Sequence, residues 1–151
     1  MLNVNDVNAT SLPGTLAFRF GTLGAMVTDL FVAALAPLDL KPKHVGVMVM
    51  LDLHGPAAQL EIARTMGVAP SLVVSLADHL EKLGAIQRVR DAGDRRRQVL
   101  SLTGKGRELL ADALAAANRL DADLAGPLNE KDRKELNRLL GVLAAEAGLP
   151  H

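Results

Sequence analysis

The chain has 151 residues with 49% hydrophobic and only 2% aromatic content, which suits one domain with an aliphatic, helical core. Lys and Arg (17) balance Asp and Glu (17), and a formal net charge of zero at first sight argues against a nucleic-acid partner. The chain contains no cysteine, which excludes disulfides, thiol-based redox sensing and cysteine-containing metal sites.

The N-terminal third predicts two helices. Apolar residues recur at intervals of three, four and seven from Leu12 to Leu35, which predicts a long helix over residues 12–36 that ends near Pro37. Arg19 and Asp29 interrupt this stretch, and no basic segment with a cleavage site precedes it. We therefore expect neither a signal peptide nor a membrane span, and a cytoplasmic protein. A second helix is predicted to begin at Pro42 and to stop before residues 55–56.

The next two helices have the spacing of a helix-turn-helix. Residues 57–66 form a short amphipathic segment closed by Gly67, and residues 70–83 form a longer one closed by Gly84. In such a motif the second helix enters the major groove of DNA. Its apolar face leaves a polar face free, on which we predict the DNA-binding residues Ser71, Leu72, Ser75, His79 and Lys82. For His79, an uninvolved surface position is an equal alternative.

A β-hairpin is predicted to follow. Residues 86–90 and 98–102 alternate apolar and polar side chains, and the connection has turn chemistry followed by Arg95, Arg96 and Arg97. Three consecutive arginines are costly to bury, so the tip must be solvated or bound to an anion. Thr103 stands where the N-cap of the next helix is expected.

Charge is unevenly distributed along the chain. Residues 78–107 hold eight Lys or Arg against four acids, a local net charge of +4, so the remainder must carry −4. This asymmetry, rather than the total, is the electrostatic signature of a DNA-binding segment.

The C-terminal part again predicts helices. Leucines and alanines from residue 109 to 124 give one helix that breaks at Gly126, and Asn129 caps a last helix with a leucine stripe. Together with the first helix these segments carry more apolar surface than a small lobe needs. We expect that they form a dimer, and intramolecular packing is the alternative.

The hairpin residues resemble a known family. Asp94, Arg96 and the pair Leu102-Thr103 match the D-x-R-x5-L-T wing signature of the MarR (multiple antibiotic resistance regulator) transcription factors. Further matches are Pro70-Ser71, Asp78, Leu80-Glu81, Leu83-Gly84 and Lys105-Gly106. The resemblance implies a mainly α fold with a small two-stranded β wing (α+β). Its single domain, residues 1–151, would comprise a winged helix-turn-helix lobe at 42–102 and dimerisation helices at 12–36 and 104–148.

The resemblance also implies roles for individual residues. Arg95, Arg96 and Arg97 would bind DNA from the wing, with an arginine in the minor groove and Asp94 orienting Arg96 through an ion pair. A homodimer would read a pseudo-palindromic double-stranded operator. The resemblance further implies a cleft for a small aromatic or acidic ligand that weakens DNA binding. Our hypothesis for its lining is His44, Met48 and Arg90.

The implied function is therefore a sequence-specific transcriptional regulator, a repressor released by a small molecule. Many relatives have Thr and Arg where this chain has Val74 and Ser75, which leaves fewer hydrogen-bond donors for bases. The alternative is consequently a winged-helix interaction or scaffold module that does not bind DNA. No Walker A, G-x-G-x-x-G, H-E-x-x-H or G-x-S-x-G motif is present. His44 and His54 are interpreted as partly buried histidines rather than metal ligands, so we expect no enzyme, metal or cofactor.

Overall fold

The computed structural model describes residues 10–150. Residues 1–9 and 151, which belong to the predicted single domain, lie outside the described part. The chain divides into two compact units, Met1–Ala116 and Ala117–His151. The boundaries predicted for the lobe and the dimerisation helices remain predictions.

The first unit begins with a 3-10 turn, Leu12–Gly14, followed by helix α1, Leu16–Leu35. The predicted helix therefore starts four residues later than expected, because the side chain of Thr15 caps α1 by accepting from the Phe18 backbone N–H at 3.2 Å. A second 3-10 turn, Ala36–Leu38, ends at Asp39 in a left-handed conformation. Helix α2, Pro42–His54, starts at the predicted proline.

Helices α3, Gln59–Met66, and α4, Pro70–Lys82, form the helix-turn-helix. They enclose an angle of 115°, as such motifs do. Gly67 links them with φ +64°, a conformation that favours glycine. α3 begins two residues later than predicted, because Ala57 instead pairs with Leu100 through two backbone hydrogen bonds of 3.1 and 2.8 Å.

Strands β1, Ile86–Arg90, and β2, Gln98–Leu102, have the predicted bounds and pair antiparallel, with Ile86 opposite Leu102. The Thr103 hydroxyl accepts from the Gly106 N–H at 3.0 Å and donates to the Gly84 carbonyl at 2.5 Å. The predicted cap is thus confirmed, and it fastens the start of helix α5, Gly104–Leu124, to the base of the wing.

Aliphatic side chains from the helices and both strands meet in the core of the first unit. The largest fully buried ones are Leu35, Val47, Met48, Ile62, Val73, Leu80, Ile86 and Leu100. His54, predicted to be partly buried, is exposed at the end of α2. His44 is the buried polar residue of the described chain.

The second unit holds the end of α5 and helix α6, Glu130–Glu146. The Asn129 side chain accepts from the Asp132 N–H at 2.9 Å, which confirms the predicted cap. α6 has no buried residue. Its exposed leucines, Leu136, Leu139, Leu140 and Leu143, fall on one helical stripe.

The first helix is also mostly exposed. By length and composition, the segment Leu16–Leu38 could cross a membrane, even though it contains Arg19 and Asp29. Only 6% of its most apolar stretch is buried. Exposed apolar surfaces of this extent typically mark sites of interaction.

Candidate nucleic-acid interface

The recognition helix α4 buries one side and leaves the other in solvent. Its buried residues are Val73, Leu76, Ala77 and Leu80. Ser71, Ser75 and Lys82, three of the predicted DNA-binding residues, are exposed. Within residues 10–150 their side chains have no hydrogen-bond or ion-pair partner. Free hydroxyl and ammonium groups on an exposed helix are available to base edges and phosphates.

Two residues predicted to face DNA lie elsewhere. Leu72 is half-buried and packs against the core. His79 donates from Nε2 to the Asp39 carbonyl at 2.7 Å, and its ring stacks on His44 with centroids 4.4 Å apart. His79 therefore ties the recognition helix to the turn between α1 and α2, a contact that the sequence analysis did not predict.

An arginine that sequence analysis missed reaches the recognition helix from the wing. Arg88 of β1 donates to Asp78 at 2.5 Å and to Glu81, both on α4. The carboxylates are one helical turn apart, so the i, i+3 spacing of two acids near an arginine-bearing strand was an available signal.

The wing tip exposes two arginines. Arg95 and Arg96 are exposed, and their guanidinium groups have no partner in the described chain. Asp94 accepts from the backbone N–H of Arg96 at 3.0 Å. The implied ion pair between the two side chains is therefore replaced by a turn-closing backbone contact, which shapes the tip without occupying the Arg96 guanidinium.

The third wing arginine is already paired. Arg97 forms an ion pair with Glu61 of α3, and its other nitrogen lies 3.8 Å from Asp91. Glu61 also accepts from the Ala58 N–H at 2.9 Å and thereby caps α3. This backbone bond first, and then Arg97, lowers the pKa of Glu61. Of the three predicted wing contacts, Arg97 is thus tied to α3 by an ion pair.

A cleft of about 470 Å³ lies beside the His44–His79 stack. Its lining residues are Val32, Ala36, Asp39, Leu40, Lys41, His44, Ser75 and His79. Of the predicted ligand residues only His44 lines it. Met48 is fully buried in the core, and Arg90 is exposed at the end of β1. The recognition helix itself contributes two walls, Ser75 and His79.

The surroundings of His44 lower its pKa. Burial first, and then the nearby charges of His79 and Lys41, lower its pKa, whereas Asp39 acts in the opposite direction. Its Nδ1 accepts from the Lys41 N–H at 2.9 Å. A protonated ring has no lone pair at that nitrogen, so protonation would also break this contact.

The bent helix pair, the two-stranded hairpin and its free arginine tip define a winged helix-turn-helix regulator. The MarR family model matches residues 38–97. The HTH-type transcriptional repressor MdtR of Bacillus subtilis is 33% identical over 106 residues, which cover 70% of this chain and 68% of MdtR. The chain belongs to the MarR family of transcriptional regulators.

Solved structures agree. The transcriptional repressor CouR bound to a 23-mer DNA duplex is 32% identical, with a TM-score of 0.74 and coverage of 91% of this chain and 97% of CouR. The Mycobacterium tuberculosis protein Rv2887 in complex with salicylic acid is 28% identical, with a TM-score of 0.70 and coverage of 85% and 95%.

Proposed function

We propose that this regulator is a dimeric repressor that binds a pseudo-palindromic double-stranded operator in the cytoplasm and is released by a small ligand. The observation that carries the proposal is the pair of free arginines, Arg95 and Arg96, at the tip of a wing joined to a recognition helix on which the side chains of Ser71, Ser75 and Lys82 have no partner in the described chain. The protein acts by binding, and no catalytic step is assigned to it.

Each element has a groove to which it fits. Ser71 and Ser75 meet base edges and phosphates from α4 in the major groove, and the half-exposed Val74 offers methyl groups to thymine. Arg95 and Arg96 meet the narrow minor groove, whose negative potential attracts an arginine without a base-specific bond. This division makes the wing responsible for affinity and α4 for sequence choice.

Salt dependence of binding tests the proposal. Affinity for the protein's own upstream DNA is measured by fluorescence anisotropy over a range of salt concentrations. Arg95→Ala should weaken binding and reduce the slope of log K against log[salt] by about 1.8 per dimer, since each phosphate contact contributes about 0.9. Arg97→Ala is the matched control because that charge is already paired. Its slope should change by less than half as much.

Two results would contradict the assignment. Equal slope changes in the two variants would mean that the wing contacts are wrongly placed. If the wild-type protein shows no salt-dependent DNA binding, the alternative of an interaction module without DNA binding holds instead.

The dimer rests on the exposed apolar faces of α1 and α6. Leu23 is 55% exposed on α1 and Leu143 is 53% exposed on α6. Surfaces of this kind are stable in water when a second copy covers them. A two-fold dimer places two recognition helices roughly 34 Å apart, one turn of DNA, and so predicts a pseudo-palindromic site.

Sedimentation at micromolar concentration tests this assembly. Leu140→Glu should shift the protein towards monomer, since Leu140 is exposed in the single chain and its replacement leaves the subunit core intact. Lys131→Glu, on the same helix but away from the leucine stripe, introduces the same side chain and should remain dimeric. A monomeric wild-type protein would refute the dimer.

The ligand site is assigned to the cleft beside the histidine stack. Its Lys41 ammonium and neighbouring apolar walls suit a small aromatic acid, the chemistry of the salicylic acid in the Rv2887 complex. Because Ser75 and His79 belong to α4, a ligand there touches the recognition helix directly. A ligand that binds best when α4 is displaced lowers DNA affinity by its difference in affinity between the two positions.

Titration with salicylate and related aromatic acids tests the cleft. Lys41→Met should weaken ligand binding and raise the ligand concentration needed to release DNA. Lys43→Met is the matched control because Lys43 is exposed but does not line the cleft. Identical responses of the two variants would remove the cleft assignment while leaving DNA binding intact.

A further inference from the structure

Arg88 joins the wing to both helices of the helix-turn-helix. Its Nη2 atom lies 2.5 Å from Asp78 Oδ1 and 3.4 Å from Gln59 Oε1, and Nη1 contacts the Glu81 carboxylate. The Arg88 side chain is only 19% exposed, whereas those of Asp78 and Glu81 are 54% and 44% exposed. A single guanidinium thus connects β1, α3 and α4.

The two carboxylates create a problem for a recognition helix. Asp78 and Glu81 are partly exposed on α4 and would repel DNA phosphates if they were unpaired. Arg88 cancels one of the two charges and holds both side chains towards the wing. The planar guanidinium suits this task, because its donors are fixed in one fork and each can meet a different acceptor.

We propose that Arg88 is a positioning residue that fixes the angle between the recognition helix and the wing and screens the α4 carboxylates, and that it does not contact DNA. This inference rests on the proposed DNA-binding function. A count of basic residues would place Arg88 on the DNA-binding surface, whereas the proposal assigns it to a contact within the protein.

The chain supplies a matched arginine two residues away. Arg90 lies on the same strand and, by the alternation of side chains, on the same face. It is exposed and has no partner within the described residues. Replacement of either arginine by methionine removes one charge and keeps a long apolar stem.

Operator affinity is measured over a range of salt concentrations for Arg88→Met, Arg90→Met and the triple variant Asp78→Asn, Glu81→Gln, Arg88→Met. Arg88→Met should weaken binding about tenfold with little change in salt slope, in the range expected when a coupled network is disturbed. Arg90→Met should instead reduce the slope by up to about 1.8 per dimer, if it meets phosphate. The triple variant should recover only part of the loss, to within about threefold of the wild type, because the uncompensated carboxylates are gone while the tie between β1 and α4 is still missing.

A slope reduction for Arg88→Met equal to one lost phosphate contact per subunit, without recovery in the triple variant, would overturn the inference. If Arg88→Met does not fold, as judged by its thermal transition, the double variant Asp78→Asn, Glu81→Gln decides. It should discriminate less between operator and unrelated DNA, and unchanged discrimination would overturn the proposal. Failure of the wild-type protein to bind DNA would instead refute the proposed function.

Discussion

Gly106 marks a contact between helix α5 and the base of the wing that any side chain would disrupt. A Cβ atom at this position would lie 2.2 Å from the Ala85 carbonyl oxygen and 2.5 Å from Leu102 Cδ1. The Ala85 carbonyl also accepts from the Thr103 N–H at 3.0 Å. It cannot turn aside without losing that bond, so Gly106→Ala requires α5 to move.

The size of the effect follows from the required movement. A carbon atom approaches a carbonyl oxygen to about 3.3 Å, so the helix must shift by about 1 Å. Overpacking of this kind costs about 1–3 kcal/mol, and alanine returns at most about 1 kcal/mol through its helix propensity. We expect a net loss of about 1–2 kcal/mol, which corresponds to a fall in Tm of about 2–8 °C for a chain of this size.

Thermal unfolding followed by circular dichroism measures this loss. All variants are compared at one protein concentration, since a dimer is stabilised by mass action. Gly104→Ala is the control, because its Cβ would meet no atom within 4 Å. If Gly106→Ala unfolds at the same temperature as Gly104→Ala or above it, the close approach between α5 and the strand is wrong.

Three further substitutions test other contacts. The pKa of His44 is lowered by burial below its ordinary value of 6.5, so the unfolded chain binds the proton more readily and stability falls as the pH drops below that value. His44→Gln should flatten this decline in Tm, whereas His54→Gln should not. Glu61→Gln keeps a cap for α3 but frees Arg97, and should steepen the salt slope of DNA binding by up to about 1.8 per dimer. Thr103→Val removes the cap of α5 and should cost about 1–2 kcal/mol in chemical unfolding. An unchanged pH profile, salt slope or midpoint, respectively, would contradict each expectation.

Features decided by local backbone chemistry could be predicted from the sequence. Thr103 and Asn129 cap helices because a side-chain oxygen reaches an N–H three residues ahead whatever surrounds it. Gly67 has positive φ where the turn needs it. The strand bounds follow equally from alternation, since one face of the hairpin must be buried.

The orientation of α4 was predicted less well because its buried side is wider than the leucine pattern indicates. Leu72, Leu76, His79 and Leu83 are spaced by four, three and four residues and so form a single ridge along the helix. The prediction assigned Leu72 and His79 to the exposed face. Three-dimensional packing places the ridge at the edge of the core. There His79 donates a hydrogen bond to the carbonyl of Asp39, forty residues earlier in the chain.

Ion pairs between distant segments could not be predicted from the sequence, because they too depend on three-dimensional packing. The partner of Arg97 is Glu61 on α3, and no local spacing indicates that contact. Asp94 was predicted to form an ion pair with the Arg96 side chain, but it contacts the Arg96 backbone N–H instead. A short carboxylate two residues earlier in the chain reaches a backbone N–H more easily than a long, flexible guanidinium.

The internal pairing explains how a neutral chain can present a basic surface to DNA. Within residues 78–107, the paired arginines and lysine, Arg88, Arg97 and Lys105, are matched in number by the paired acids Asp78, Glu81 and Asp91. The local charge of +4 therefore resides on five unpaired cations, Lys82, Arg90, Arg95, Arg96 and Arg107, and on Asp94. A dimer offers ten such cations, so this segment can contribute a salt slope no steeper than about −9. All eight basic residues of the segment would allow about −14. The difference is the charge of Lys105, which pairs with Glu108 within α5, and of Arg88 and Arg97, which hold the wing to the helix-turn-helix.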